Sequence, residues 1–190
     1  MDKSAQPGKV NIMESSDISE GVYYNREAYA GFWLRLMVDV IDISAIMSIS
    51  IVFTILFMKV LTPSEQFIPV LFVLWAGLWF IYFVLLKRSN FGTLGYKLCR
   101  VRIVNLRGER PSILALTFRL IFAAIGPLNM LFDLIWLSGD ENRQALRDKF
   151  AQTYVVKKNA TPIGTGKITY CDFDLWSWRV MFREVKRTDP

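Results

Sequence analysis

The chain has 190 residues, of which 53% are hydrophobic and 14% are aromatic, and its mean hydropathy is +0.29. That balance is typical of a small polytopic membrane protein rather than of a soluble domain. Histidine is absent, and Cys99 and Cys171 are the two cysteines. Histidine, the commonest general base and a common metal ligand, is therefore missing, and the two cysteines are too far apart in sequence for a metal-ligand motif. We therefore predict no enzyme activity, no metal and no cofactor.

Residues 1–27 are predicted to form a disordered tail, because their first twenty residues are polar and Ser-rich and show no apolar period. Aromatic residues then lead into the first long apolar segment. They predict a belt at the level of the lipid headgroups, and they are Tyr23, Tyr24, Tyr29, Phe32 and Trp33.

Two apolar segments are long enough to cross a bilayer. The first covers residues 31–58, and the second, residues 67–86, contains no charge. A short linker over residues 59–66 joins them. We therefore predict two transmembrane helices.

Three ionisable residues interrupt the first segment: Arg35, Asp39 and Asp42. Offsets of four and seven residues return to nearly the same side of a helix, so the three groups form one polar stripe. The nine Ile, Val, Leu and Phe residues of 43–58 favour insertion by roughly 3–5 kcal/mol, whereas three charges facing lipid would cost roughly 8–10 kcal/mol. The charges must therefore pair, lie near the membrane interface or face a protein interior.

The stripe has two interpretations. The first is an internal salt-bridge cluster that fixes helix packing and that Arg119 could close. The second is a cation or proton site in which Asp39 and Asp42 are the acceptors and Arg35 is the competing internal cation. One Arg against two Asp leaves one carboxylate that needs a proton, a cation or another basic residue.

The third apolar run covers residues 114–137 and is broken by Gly126-Pro127. It is predicted to be either a third span or a re-entrant hairpin. Residues 99–105 and 152–158 read as two short β-strands, and a strand pair requires both on one side of the membrane, which favours the hairpin. Asn129 and Asp133 lie in this run, one turn apart, and are interpreted as hydrogen-bonding groups of the bundle or, in the functional alternative, as cation ligands.

The formal net charge of +6 is concentrated beside the second span. Between residues 87 and 119, eight basic residues face the single acid Glu109: Lys87, Arg88, Lys97, Arg100, Arg102, Arg107, Arg110 and Arg119. The positive-inside bias produces such a block, so we predict a cytoplasmic location for this region and for the N-terminus, and no nucleic-acid binding.

The tail, residues 158–190, carries apolar residues at helical spacing: Leu175, Trp178, Phe182 and Val185. This spacing predicts a C-terminal amphipathic helix that lies on the membrane or docks on a partner. The predicted fold is thus an all-α membrane protein with two spans, a broken third apolar segment, a small cytoplasmic β-pair and this terminal helix.

The order of these features resembles the RDD family of mostly bacterial integral membrane proteins, over residues 28–157. Arg35 and Asp42 match the family's Arg and first Asp, and Asp148 resembles the second. Arg119 fits the Arg that opens the third apolar run of the family. Asp39 is an acid that the family does not usually carry at this position. Phe91 and Tyr96 depart from the family's loop pattern. The other residues that match the family's motifs are Thr93, Gly95, Arg143 and Gln144.

The resemblance implies a multi-pass protein of the bacterial inner membrane, and transport, including sodium–proton exchange, is proposed for some members. Two functions are therefore considered. One is translocation of a monovalent cation or proton, which would require a homo-oligomer because two spans and a hairpin enclose little space. The other is a non-transporting membrane subunit or adaptor that recruits or anchors a larger complex through its basic face and terminal helix.

Overall fold

The computed structural model describes residues 20–60, 67–124, 143–175 and 178–187. Two long helices, three short helices and two antiparallel sheets are present in these ranges. The five strands are β1 (Glu20–Tyr23), β2 (Val101–Asn105), β3 (Thr153–Lys157), β4 (Gly164–Leu175) and β5 (Trp178–Val185). The fold is therefore not all-α.

The two long helices correspond to the two predicted spans. Helix α1 covers Phe32–Val60, and helix α2 covers Phe67–Phe80 and continues as a π-helical segment over Ile81–Leu86. At 1.5 Å per residue they measure about 43 and 30 Å, which is sufficient to cross a hydrocarbon core. Both are candidate membrane spans by length and composition, and most of their apolar side chains are exposed, as lipid contact requires.

Strands β2 and β3 pair antiparallel, as predicted, with Ile103 opposite Val155. The two faces of this small sheet contact different cores. Ile103 and Val155 pack with residues of the spans, including Val38, whereas Tyr154 packs on the opposite side with the aromatic residues that precede α1. The sheet therefore links the membrane helices to the remainder of the protein.

Three short helices surround this sheet: α3 (Leu94–Leu98), α4 (Ile113–Ala124) and α5 (Leu146–Ala151). Helix α4 forms the first part of the third apolar run. The Gly126-Pro127 break, Asn129 and Asp133 lie outside the described residues, as does the choice between a third span and a re-entrant hairpin.

The prediction of a C-terminal amphipathic helix is wrong. Strands β4 and β5 form a hairpin with eight residue pairs in register, and β1 completes a three-stranded sheet in the order β1-β4-β5. Helical spacing of four apolar residues did not reveal the strands, because β-structure depends on pairing with neighbours that lie elsewhere in the sequence. The β-branched and aromatic residues of 168–173 are the signal that could have indicated the first strand of the hairpin.

The N-terminal segment is also more ordered than predicted. Residues 1–19 of the predicted tail lie outside the described residues, but Glu20–Tyr23 pairs with β4 and Arg26–Ala28 forms a 3₁₀ turn. Tyr24 and Tyr29 are buried against Tyr154 rather than exposed at headgroup level. The reason is that β4, a strand that the sequence analysis missed, supplies the pairing partner for this segment.

Candidate functional site

A buried carboxylate, Asp148, joins two arginines that come from different apolar segments. Asp148 lies in the first turn of α5 and is 0% exposed. Arg35 on α1 donates to its Oδ2 and Arg119 on α4 donates to its Oδ1. The Ala145 backbone N–H adds a weaker hydrogen bond to Oδ2 at 3.3 Å. We call Arg35, Asp148 and Arg119 the Asp148 triad.

Each arginine of the Asp148 triad also bonds to the surrounding backbone or side chains. Arg35 Nε donates to the Ala30 carbonyl at 2.9 Å, and its Nη2 donates to the Arg143 carbonyl at 2.6 Å. Arg119 Nη1 donates to Thr153 Oγ1 at 2.9 Å. The triad therefore connects α1, α4, α5 and β3 at one point. Removing one partner of such a buried group would leave an uncompensated charge, at a cost of about 3–5 kcal/mol.

A second buried carboxylate, Asp42, lies on α1 two turns after Arg35 and is 0% exposed. It accepts hydrogen bonds from three neutral donors: Tyr82 Oη at 3.1 Å, Thr93 Oγ1 at 2.6 Å and the Gly95 N–H at 2.7 Å. The Tyr82 oxygen itself accepts from the Leu94 N–H at 3.3 Å, which orients its own proton toward Asp42. We call Asp42, Tyr82, Thr93 and Gly95 the Asp42 cradle.

Gly95 is needed for this geometry because α3 approaches α1 very closely. A Cβ at Gly95 would lie 2.5 Å from the Val38 carbonyl oxygen and 2.9 Å from Asp42 Oδ1. The Thr-x-Gly motif thus supplies one hydroxyl donor and one backbone donor at a position with no room for a side chain. The family resemblance predicts Thr93 and Gly95 as motif residues, but the sequence does not indicate their partner.

Tyr82 was missed as a site residue. It lies in the π-helical segment, a feature that is frequent at functional sites. Its helical spacing from Trp75 and Trp79 is typical of aromatic residues that pack in a bundle or contact lipid, whereas its hydroxyl is a donor to Asp42. No sequence signal distinguishes the two roles.

The third acid of α1, Asp39, pairs with Arg147 of α5, whose Nη2 donates to Asp39 Oδ2 at 2.6 Å. The side chain of Asp39 is 16% exposed, so this pair lies nearer the surface than the Asp148 triad. Arg35, Asp39 and Asp42 are thus close along one helix but have three different sets of partners. The described bonds of Arg35 and Asp39 run to α5, which supplies a carboxylate to Arg35 and an arginine to Asp39.

The family model described as the RDD family matches residues 29–152, which include Arg35, Asp42 and Asp148. The chain belongs to the RDD family. A Bacillus subtilis (strain 168) relative, the uncharacterized protein YckC, is 30% identical over 139 residues that cover 70% of this chain and 86% of that protein. No solved structure matches the chain.

The remaining motif residues of this RDD protein support the Asp148 triad. Gln144 is buried, and its Nε2 donates to the Thr153 carbonyl at 3.0 Å. Arg143 contributes through its backbone carbonyl, which accepts from Arg35. The motif therefore positions α5 against β3, so that Asp148 meets both arginines.

The charged groups on α1 and their partners form three sets that differ in net formal charge. The Asp148 triad has two arginines and one aspartate, 2 − 1 = +1, and the Asp39–Arg147 pair is neutral. Asp42 has a formal charge of −1, and among the described residues no basic side chain bonds to it. The surplus carboxylate that the sequence predicts is therefore Asp42.

Proposed function

We propose that this RDD protein translocates a monovalent cation or a proton across a membrane, and that Asp42 is the group that binds it. The observation that supports the proposal is the burial of Asp42 in a candidate membrane span without a bonded basic side chain among the described residues. Ionisable groups at such positions are expensive, and they commonly mark ion or proton pathways.

The Asp42 cradle has the chemistry that such a site requires. Tyr82 and Thr93 bond through hydroxyl groups, and a hydroxyl oxygen can accept as well as donate. When a cation or proton arrives at Asp42, these hydroxyls can rotate and present their oxygens to it. The Gly95 N–H cannot change its role, so it keeps the carboxylate in place.

Arg35 does not compete for Asp42 in this arrangement, because it bonds to Asp148. The proposed site therefore differs from the one that the sequence suggested. Asp42 carries the ion, and the Asp148 triad holds α1 against α4 and β3.

We place the protein in the bacterial inner membrane as a multi-pass protein with a cytoplasmic N-terminus. The basic residues of 87–119 support this orientation through the positive-inside bias. Residues 105 and 153 pair in the β2–β3 sheet, so in a bilayer they would lie on the same side, which supports a re-entrant segment between them rather than a single crossing. Because two spans enclose little space, the pathway would form in a homo-oligomer.

The experiment is cation-dependent proton flux in proteoliposomes, measured at several pH values for the intact chain and for Asp42→Asn. The substitution keeps the size of the side chain and its acceptor oxygen, so the fold should survive while ion binding is lost. The matched control is Ser48→Ala, because Ser48 is an exposed polar residue of the same helix whose hydroxyl donates to the Ser44 carbonyl at 2.8 Å.

Flux that is lost in Asp42→Asn and retained in Ser48→Ala would support the proposal. An intact, folded protein without flux would contradict it, as would an Asp42→Asn variant with unchanged flux.

A second candidate function is a membrane adaptor, and the β4–β5 hairpin favours it. Strand β5 is an edge of its sheet among the described strands, and one face of the hairpin exposes Tyr170 and Met181. An edge strand beside exposed apolar side chains can bind an extended peptide. Met181→Glu should then weaken co-purification of a partner, whereas Ile163→Glu, at a similarly exposed position outside the hairpin, should not. Equal co-purification for both variants would speak against the adaptor.

A further inference from the structure

A cavity of about 310 Å³ lies between α1, the second span, α4 and α5. Its volume is in the range of small-molecule sites. Asp42 is not among its lining residues, so the cavity is separate from the proposed ion site. The residues that line it are Asp39, Ile43, Trp79, Phe83, Lys87, Leu116, Arg119, Leu120, Ala123, Ala124 and Arg147.

Two buried N–H donors on the wall of this cavity have no acceptor among the described residues. They are Trp79 Nε1 and Arg119 Nε. Arg119 is 6% exposed, so water does not reach it freely. A buried donor without a partner costs about 1–3 kcal/mol, and more for a charged group. A ligand with hydrogen-bond acceptor atoms would remove that cost.

The polar end of the cavity is positively charged. Three basic residues and one acid line it, and the acid, Asp39, already pairs with Arg147. Lys87 makes no ion pair with the described residues; its Nζ lies 4.5 Å from the centre of the Tyr96 ring and 5.5 Å from that of Phe83. Although burial raises the pKa of the Tyr96 phenol, the positive charges of Lys87 and Arg119 outweigh this effect and lower it below its usual value. The ligand would therefore be an anion.

The rest of the wall is apolar. Ile43, Leu116 and Leu120 lie on α1 and α4, and Ile43 is 41% exposed, so the cavity opens on the apolar face of the spans. A hydrophobic chain could enter from that face without crossing water. The anion would thus be one that carries an alkyl chain.

We propose that this cavity binds an anionic phospholipid from the surrounding bilayer. The phosphate oxygens accept from Trp79 Nε1 and Arg119 Nε and lie near the Lys87 ammonium. One acyl chain follows Ile43, Leu116 and Leu120 toward the open side. Charge complementarity selects an anionic headgroup, because a zwitterionic headgroup would bring its own cation to a site that already has three.

The test compares retention of phosphatidylglycerol and phosphatidylcholine with identical acyl chains by the full-length protein, measured by native mass spectrometry from detergent. We expect about tenfold stronger retention of phosphatidylglycerol. Trp79→Phe, which removes the N–H and keeps a ring, and Lys87→Gln should each reduce this retention at least about tenfold, the usual effect of losing one hydrogen bond or ion contact to a charged group.

Two control variants separate the cavity from general surface charge. Trp75→Phe removes an indole N–H that already bonds to Thr54, at 3.1 Å, and Lys97→Gln removes an exposed charge that does not line the cavity. Both should retain phosphatidylglycerol like the intact protein. Equal retention of the two lipids, or equal loss in test and control variants, would overturn the proposal. So would binding of free glycerol phosphate as strong as that of the lipid, because the apolar wall would then contribute nothing.

Discussion

Asp148 forms ion pairs with two buried arginines, Arg35 and Arg119. Asp148→Asn would leave Arg35 and Arg119 buried with no carboxylate between them, so we expect a loss of about 3–5 kcal/mol in the free energy of unfolding. Thermal or denaturant unfolding in detergent measures this loss. The comparison variant is Asp39→Asn, which breaks one partly exposed ion pair and should cost clearly less. Equal losses for the two variants would show that the Asp148 triad is not a special anchor.

Substitutions of Gly95 and Gly77 can be compared directly, because an added Cβ would meet close neighbours at Gly95 and none at Gly77. Gly95→Ala would place a Cβ against the Val38 carbonyl and Asp42, so α3 must move away from α1. Such overpacking costs about 1–3 kcal/mol and would lengthen the bonds of the Asp42 cradle. Gly77→Ala meets nothing within 4 Å and should be neutral or stabilising by up to about 1 kcal/mol.

Unfolding midpoints and proteoliposome flux of the two variants test this prediction together. Gly95→Ala should lose both stability and flux, and Gly77→Ala should lose neither. If Gly95→Ala behaves like Gly77→Ala, the close approach of α3 to α1 does not hold the carboxylate in place.

At the scale of elements, the β4–β5 hairpin holds the N-terminal strand. Strand β4 is the described partner of β1, with Gly21 opposite Gly166. A chain truncated after Ala160 should therefore lose hydrogen-exchange protection over 20–23 except at the Val22 amide, which donates to the Leu106 carbonyl at 2.8 Å. The amides of β2 and β3 should remain protected, because these strands pair with each other. Unchanged protection of 20–23 in the truncated chain would mean that β1 does not depend on β4.

Elements whose determinants are local could be predicted from the sequence. The spans were predicted at 31–58 and 67–86 and occur at 32–60 and 67–86, because apolar length is read directly from consecutive residues. The β2–β3 pair was predicted from its β-branched residues. The β4–β5 hairpin and strand β1 were not, because each is stabilised by pairing between segments whose own patterns are weak.

The charged residues of α1 could be predicted as candidate site residues, but Tyr82 and most of the partners of these residues could not. The spacing of Arg35, Asp39 and Asp42 indicated correctly that they need a protein environment, since Arg35 and Asp42 are buried. Their partners lie far along the chain: Thr93 is 51 residues after Asp42, and Arg147 is 108 residues after Asp39. Helical periodicity carries no information on contacts at such separations.

At the scale of the whole molecule, the two candidate spans expose most of their apolar side chains, and two helices enclose little space. If the protein translocates ions, we expect the purified chain to be a homo-oligomer. Light scattering in detergent, with the detergent mass subtracted, measures the number of copies. Asp42→Asn should give the same mass as the intact chain, because Asp42 is buried inside one copy. A strict monomer that still supports flux would contradict the requirement for an oligomer.

The length of chain between Arg35 and Asp148 has a consequence for biogenesis. The two residues are 113 positions apart. At about 5–20 residues per second, a ribosome needs roughly 6–23 s to add the carboxylate after the guanidinium has been made. During that interval the first span contains an arginine whose partner does not yet exist. The apolar residues that follow Asp42 must therefore drive insertion of α1. The ion pair with Asp148 then forms after α1 has entered the bilayer and fixes its position.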